Sequence, residues 1–143
     1  MKLLLSWIGT TDLDGKGYEG PICDILKEIP MDKAIFLAHK LKSRDTSSKG
    51  NIVPNLKTLY PKLHIITKNV TIEWCNDLPN IYDLTESILK NNYKSEVYIN
   101  LFSGSKIMCA CWLLAVERLP KDVRKPIFLQ PSLHMGLVTS NLP

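Results

Sequence analysis

A chain of 143 residues, 45% of them hydrophobic, fits one compact domain with enough apolar material for a core. Its formal charge of +4 is too modest for a protein that coats duplex DNA, yet it leaves room for a locally basic pocket that welcomes phosphate. Four cysteines, at positions 23, 75, 109 and 111, have neither a CxxC pair nor companion histidines at zinc-site spacing, so no metal site is expected; as reduced thiols they suit a cytoplasmic protein.

The opening "KLLLSWIG" is a continuous apolar run ended by Gly9, as expected of a strand buried on both faces. It is too short, and lacks the small-residue cleavage site, for a signal peptide. After the polar loop "TTDLDGKG", Pro21 suits a first helical position, and Ile22, Ile25, Leu26 and Ile29 recur at helical spacing. "KAIFLAH" is a second buried strand, followed by the Ser-, Lys- and Gly-rich loop "KLKSRDTSSKGN". Leu56, Leu59 and Tyr60 make a short apolar helical face before Pro61, and "LHIITKNVTIEW" supplies β-branched residues for a third strand. Ile81, Leu84, Ile88 and Leu89 repeat with helical spacing, "EVYINLF" reads as a fourth strand, "KIMCACWLLAVER" as a fourth helix and "PIFLQ" as a fifth strand. "LHMGLVTSNLP" is either a sixth edge strand or a truncated continuation, so the chain is open to being an excised piece.

On that fourth helix, Cys109 and Cys111 diverge by about 200° and should not bridge each other. The longest apolar run, Ile107 to Val116, falls far short of the roughly 20 residues that span a bilayer, so no membrane partner is expected. Strands alternating with helices imply parallel pairing through crossovers. The expected fold is therefore α/β: a single Rossmann-like three-layer α/β/α sandwich over residues 1–143, with a mainly parallel central sheet.

In such sheets ligands gather beyond the carboxyl ends of the strands, where the loops after the first, second, fourth and fifth strands share an edge. The turn "SGSK" (Ser103, Gly104, Ser105, Lys106) opens the fourth helix, where backbone amides and the peptide dipoles favour an anion and Lys106 adds a full charge. The serines alternatively serve only as helix caps. The first loop brings Gly9, Thr10 and Thr11 to the same edge, with Asp12 next in the chain. Arg44, in the basic loop after the second strand, is a further candidate for ligand contact. Neither G-x-G-x-x-G nor G-x-x-x-x-G-K-[ST] occurs, which argues against a dinucleotide cofactor and against a P-loop. A hydrolytic triad from Ser103 or Ser105, His39 or His134, and Asp12 or Asp14 can be assembled on paper, but the G-x-S-x-G elbow is missing and such residues meet by chance. Trp7 and Trp112 belong to buried elements and read as core.

The stretch "INLFSGSKIMCACWLLAVERL" resembles the strand-turn-helix signature of CRISPR-associated Rossmann fold (CARF) domains, and "WIGTTDLDGKG" is similar to the other half of that pattern. Within that superfamily, "GTTDLDGKG" with "CWLLAVERLP" and "QPS" most resembles the amino-terminal sensor of the sigma-54-dependent activators of RNA-repair operons, although Lys106 stands where those activators have a non-basic residue. The resemblance implies a homodimer whose two crevices form one pocket for a symmetric cyclic oligoadenylate, such as cyclic tetra-adenylate, in type III CRISPR antiviral signalling. It implies no cofactor and no duplex DNA bound by this domain. It assigns ligand contact to Gly9, Thr10 and Thr11 on the first loop, to Ser103, Gly104, Ser105 and Lys106 on the second, and secondarily to Asn100. In CARF domains that open their ligand without metal, Lys106 with Thr10 or Thr11 would stabilise the transition state. The alternative readings are thus a ring nuclease and an RNA-end sensor of a transcriptional activator.

Overall fold

The computed structural model describes residues 1–9, 20–41, 52–72, 77–132 and 136–140; Thr10, Thr11, Asp12 and Arg44 lie outside them. The elements run β1 (Lys2–Trp7), α1 (Pro21–Glu28), β2 (Lys33–Leu41), α2 (Ile52–Leu59), β3 (His64–Ile72), α3 (Leu78–Asn92), β4 (Glu96–Asn100), α4 (Lys106–Glu117), β5 (Ile127–Ser132) and β6 (Gly136–Ser140). The strands form one sheet in the order β3-β2-β1-β4-β5-β6. β1 to β5 are parallel and β6 runs antiparallel to β5. The Rossmann-like α/β reading holds, and within the stretch read as an edge strand or a truncated continuation, Gly136–Ser140 forms the antiparallel strand β6.

β1 is central because its residues are apolar on both faces. Leu5 sits opposite Ile35 of β2 and Ile99 of β4. Leu3, Leu5 and Trp7 point into a core shared with α3 and α4, while Leu4 and Ile8 point into a second core with α1 and α2. All five are fully buried, and each such side chain contributes about 1.5–3 kcal/mol of transfer free energy. β3 lies at the open edge of the sheet, and accordingly its Lys68, Asn69 and Thr71 are exposed. α2 differs from the sequence expectation: Ile52 and Leu56 are its buried pair, and Leu59 is exposed. Ile52 lies four residues, one helical turn, before Leu56, hidden in the sequence behind a loop-like stretch.

Cys109 and Cys111 are not bridged: the Cys109 sulfur lies 2.8 Å from the Leu101 carbonyl oxygen, whereas Cys111 is buried in the α3/α4 core. No described helix is long and apolar enough to cross a membrane. Helices α1 and α2 cover one face and α3 and α4 the other, so the chain changes face between β1 and β4. At such a switch point the two loops leaving neighbouring strands diverge and open a crevice.

Candidate functional site

The loops after β1 and β4 meet backbone to backbone at that switch point. A Cβ added to Gly9 would stand 2.8 Å from the Gly104 nitrogen and 3.4 Å from Ser103 Cα, so only glycine admits this approach. Gly104 has φ +103°, and a Cβ there would meet Met108 Sδ at 3.0 Å and Trp7 Cβ at 3.1 Å. The turn is thus seated on the end of β1, with Trp7 and Met108 as its floor.

On the other face of the same strand pair lies a buried polar trio. Asn100 Nδ2 donates to Ser6 Oγ (3.1 Å) and to Ser103 Oγ (2.8 Å), and Asn100 Oδ1 accepts from the Phe102 amide (2.9 Å). Ser6 Oγ donates onward to the Trp7 carbonyl (2.7 Å). All three residues are at most 1% exposed, so their polar atoms depend on one another for the bonds that water would otherwise supply.

The amino end of α4 is unusual in its charge. Ser105 is the N-cap: its Oγ accepts from the Met108 amide (3.2 Å), and its own amide faces the Met108 sulfur (3.3 Å), where a capping box ordinarily has Glu or Gln. No acidic residue occurs in the first turn; instead Lys106 stands at the first helical position, exposed and with no ion pair among the described residues. A cation here opposes the helix dipole and costs a few tenths of a kcal/mol. A bound anion reverses that sign, since it is attracted by the amides and by the ammonium together.

The structure therefore sorts the sequence candidates. Gly9 and Gly104 are in contact, and Gly104 and Lys106 are exposed at the crevice. Asn100 and Ser103 are brought to the same turn but face inward, each engaged by the other, and Ser105 caps α4. Thr10, Thr11, Asp12 and Arg44 fall outside the described residues. The two hydroxyls of the triad reading, on Ser103 and Ser105, both serve the turn and helix that carry them. His39 is half-buried near the carboxyl end of β2, edge-on to Trp7 with ring centroids 6.3 Å apart, and burial pushes its imidazole below the ordinary value.

Sequence reading missed Ser6, Trp7 and Met108 as the supports of the turn. For Ser6 a signal existed: it is the lone hydroxyl in an otherwise apolar β1 run, one register step beyond the Leu5–Ile99 pair and hence beside Asn100. A separate apolar cavity of about 460 Å³, lined by Leu26, Met31, Leu59, Tyr60 and Leu63 among others, lies near the amino ends of β2 and β3, away from this chemistry. Among the described residues no three or more His, Cys, Asp or Glu come together as a metal cluster would require.

No protein-family model matches the sequence, and no curated protein matches it. Solved structures do. The chain has the fold of a Csm6 domain. It superposes on Enterococcus italicus Csm6 bound to cyclic hexa-2'-fluoro-hexa-dAMP with a TM-score of 0.76 and 22% identity, over 96% of this chain and 35% of Csm6. A type III CRISPR defence DNA nuclease activated by cyclic oligoadenylate superposes with a TM-score of 0.56 and 13% identity, over 90% of this chain and 18% of the nuclease. The chain thus spans about a third of Csm6 and less than a fifth of the nuclease.

Proposed function

We propose that this chain is a CARF-type sensor domain that binds a cyclic oligoadenylate in the crevice between the β1 loop and the β4–α4 turn, in type III CRISPR signalling in the cytoplasm. The observation that carries the reading is the Gly9–Gly104 approach at the switch point, which brings Gly9 to an acid-free helix amino end bearing Lys106, a cation with no ion pair among the described residues. In each protomer one phosphate of the ligand would sit against the α4 amides and Lys106. The likeness in fold to Csm6 and to the nuclease supports the ligand class, because both of those proteins are described with a cyclic oligoadenylate-type ligand or activator.

The reading extends to a homodimer. α4 is apolar around its circumference: Met108, Cys111, Trp112, Ala115 and Val116 are buried, yet Leu113 and Leu114 remain 36% and 44% exposed, and Phe102 in the preceding turn 51%. A helix apolar all round has its outer face covered in the working assembly. A second copy related by a two-fold axis would cover it and would suit a symmetric ring.

The test is incubation of the chain with radiolabelled cyclic tetra-adenylate and, in parallel, cyclic hexa-adenylate, run on native and denaturing gels. Retention of intact ligand is expected, with the tetramer preferred; a linear product on the denaturing gel would instead mark a ring nuclease. Lys106→Ala should weaken retention, and unchanged retention by that variant would remove this site from the account.

A further inference from the structure

We propose that Asn100 is the positioning residue of the crevice: it does not touch the ligand, but its buried carboxamide locks the β4–α4 turn against β1 in the shape that receives the anion. The inference rests on the proposed function for what the turn binds, and on hydrogen bonds alone for how the turn is held.

Asn100 is fully buried, and three of its bonds are placed. The orientation of the carboxamide follows from its partners. The Phe102 N–H can only donate, so Oδ1 must face it, and both Nδ2 hydrogens are then directed at Ser6 and Ser103. One side chain thereby fastens three points: β1 near its carboxyl end through Ser6, the backbone at Phe102, and the side chain of Ser103 just before Gly104. A leucine of similar size would fill the space without the desolvation penalty of an amide, but would hold none of these points.

The tolerance is small. Gly104 lies between the Gly9 backbone and the Trp7 and Met108 side chains: a Cβ on Gly9 would stand 2.8 Å from the Gly104 nitrogen, and one on Gly104 would meet Met108 Sδ at 3.0 Å and Trp7 Cβ at 3.1 Å. Releasing Phe102 and Ser103 frees Gly104 to move by tenths of an ångström, and the amides that open α4 move with it. The affinity of a preorganised anion site depends on that alignment, whereas the stability of the fold does so only in part.

The experiment compares Asn100→Ala and the milder Ser6→Ala with Thr85→Val, which removes a buried hydrogen bond (Thr85 Oγ1 to the Ile81 carbonyl, 2.7 Å) within α3. Dissociation constants for cyclic tetra-adenylate and cyclic hexa-adenylate are measured well below each variant's melting temperature, and amide exchange at residues 102–105 is followed without ligand. Asn100→Ala should weaken binding by about tenfold and speed exchange in the turn by a similar factor, and Ser6→Ala should move both in the same direction by less. Thr85→Val should lower the melting temperature and leave both readouts unchanged. If Asn100→Ala does not fold, Ser6→Ala alone decides. Variants at Asn100 or Ser6 that melt earlier but keep wild-type affinity and turn exchange overturn the inference. If the wild type binds neither ring, the proposed function fails, and exchange at 102–105 still tests the positioning role by itself.

Discussion

Replacing Gly9 with alanine tests the backbone contact on which the crevice depends. Gly9 is not among the positive-φ glycines, so its backbone accepts alanine without strain and the new methyl carries the whole penalty. That methyl would stand 2.8 Å from the Gly104 nitrogen, closer than real Cβ atoms approach, and the atom it meets is backbone, not the end of a flexible side chain. Gly104 has little room to retreat, with Trp7 Cβ and the Met108 side chain beneath it and the Phe102 and Ser103 positions tied to Asn100. Forced overpacking of this kind costs about 1–3 kcal/mol. Alanine restricts the unfolded chain and returns about 0.5–1 kcal/mol, leaving a net loss of about 1–2 kcal/mol. For a domain of this size that lowers the melting temperature by roughly 2–8 °C. Since the displacement falls between the two loops of the site, affinity for cyclic tetra-adenylate should drop by about tenfold even where the protein remains folded. Circular dichroism melts and titration calorimetry measure the two effects. A Gly9→Ala protein that melts at or above the wild-type temperature and binds equally well would show that the loops do not meet, and the crevice would have to be abandoned.

Gly104→Ala adds a left-handed φ of +103° to its contacts with Trp7 and Met108, so it should destabilise more than Gly9→Ala, by about 2–4 kcal/mol in urea unfolding. Lys106→Ala should raise the melting temperature slightly, because it removes a cation that opposes the helix dipole from an exposed position with no ion pair among the described residues, while ligand binding weakens and the slope of log Kd against log salt becomes shallower by about one. Burial makes His39 bind its proton more weakly in the folded than in the unfolded chain, so its contribution to stability is complete above the ordinary value of 6.5 and is lost as the pH falls below it; His39→Gln should flatten that fall in unfolding titrations run downward from pH 6.5. Leu113→Glu combined with Leu114→Glu places charge on the outward face of α4, and sedimentation should show the proposed dimer lost to monomer without loss of fold.

Much of this architecture is written locally. The unbroken apolar run of β1, the Pro21 start of α1, and Ser105 before a greasy α4 each carry their own instruction, because strand burial and helix capping depend on residues close in the chain. Alternating strands and helices then require parallel pairing, and parallel pairing alone sends the β1 and β4 loops to one edge. Whether Asn100 and Ser103 point into the crevice or into the protein was not written there. That outcome depends on Ser6, 94 residues away from Asn100, arriving beside it through strand pairing. The same holds for the exposed edge at β3, the antiparallel β6 and the burial of Ile52. Periodicity tells a residue which side of its own element it occupies, but what lies across from it is decided only when distant segments pack, and at this turn that packing separated the buried side chains, Asn100 and Ser103, from Lys106, which stays exposed.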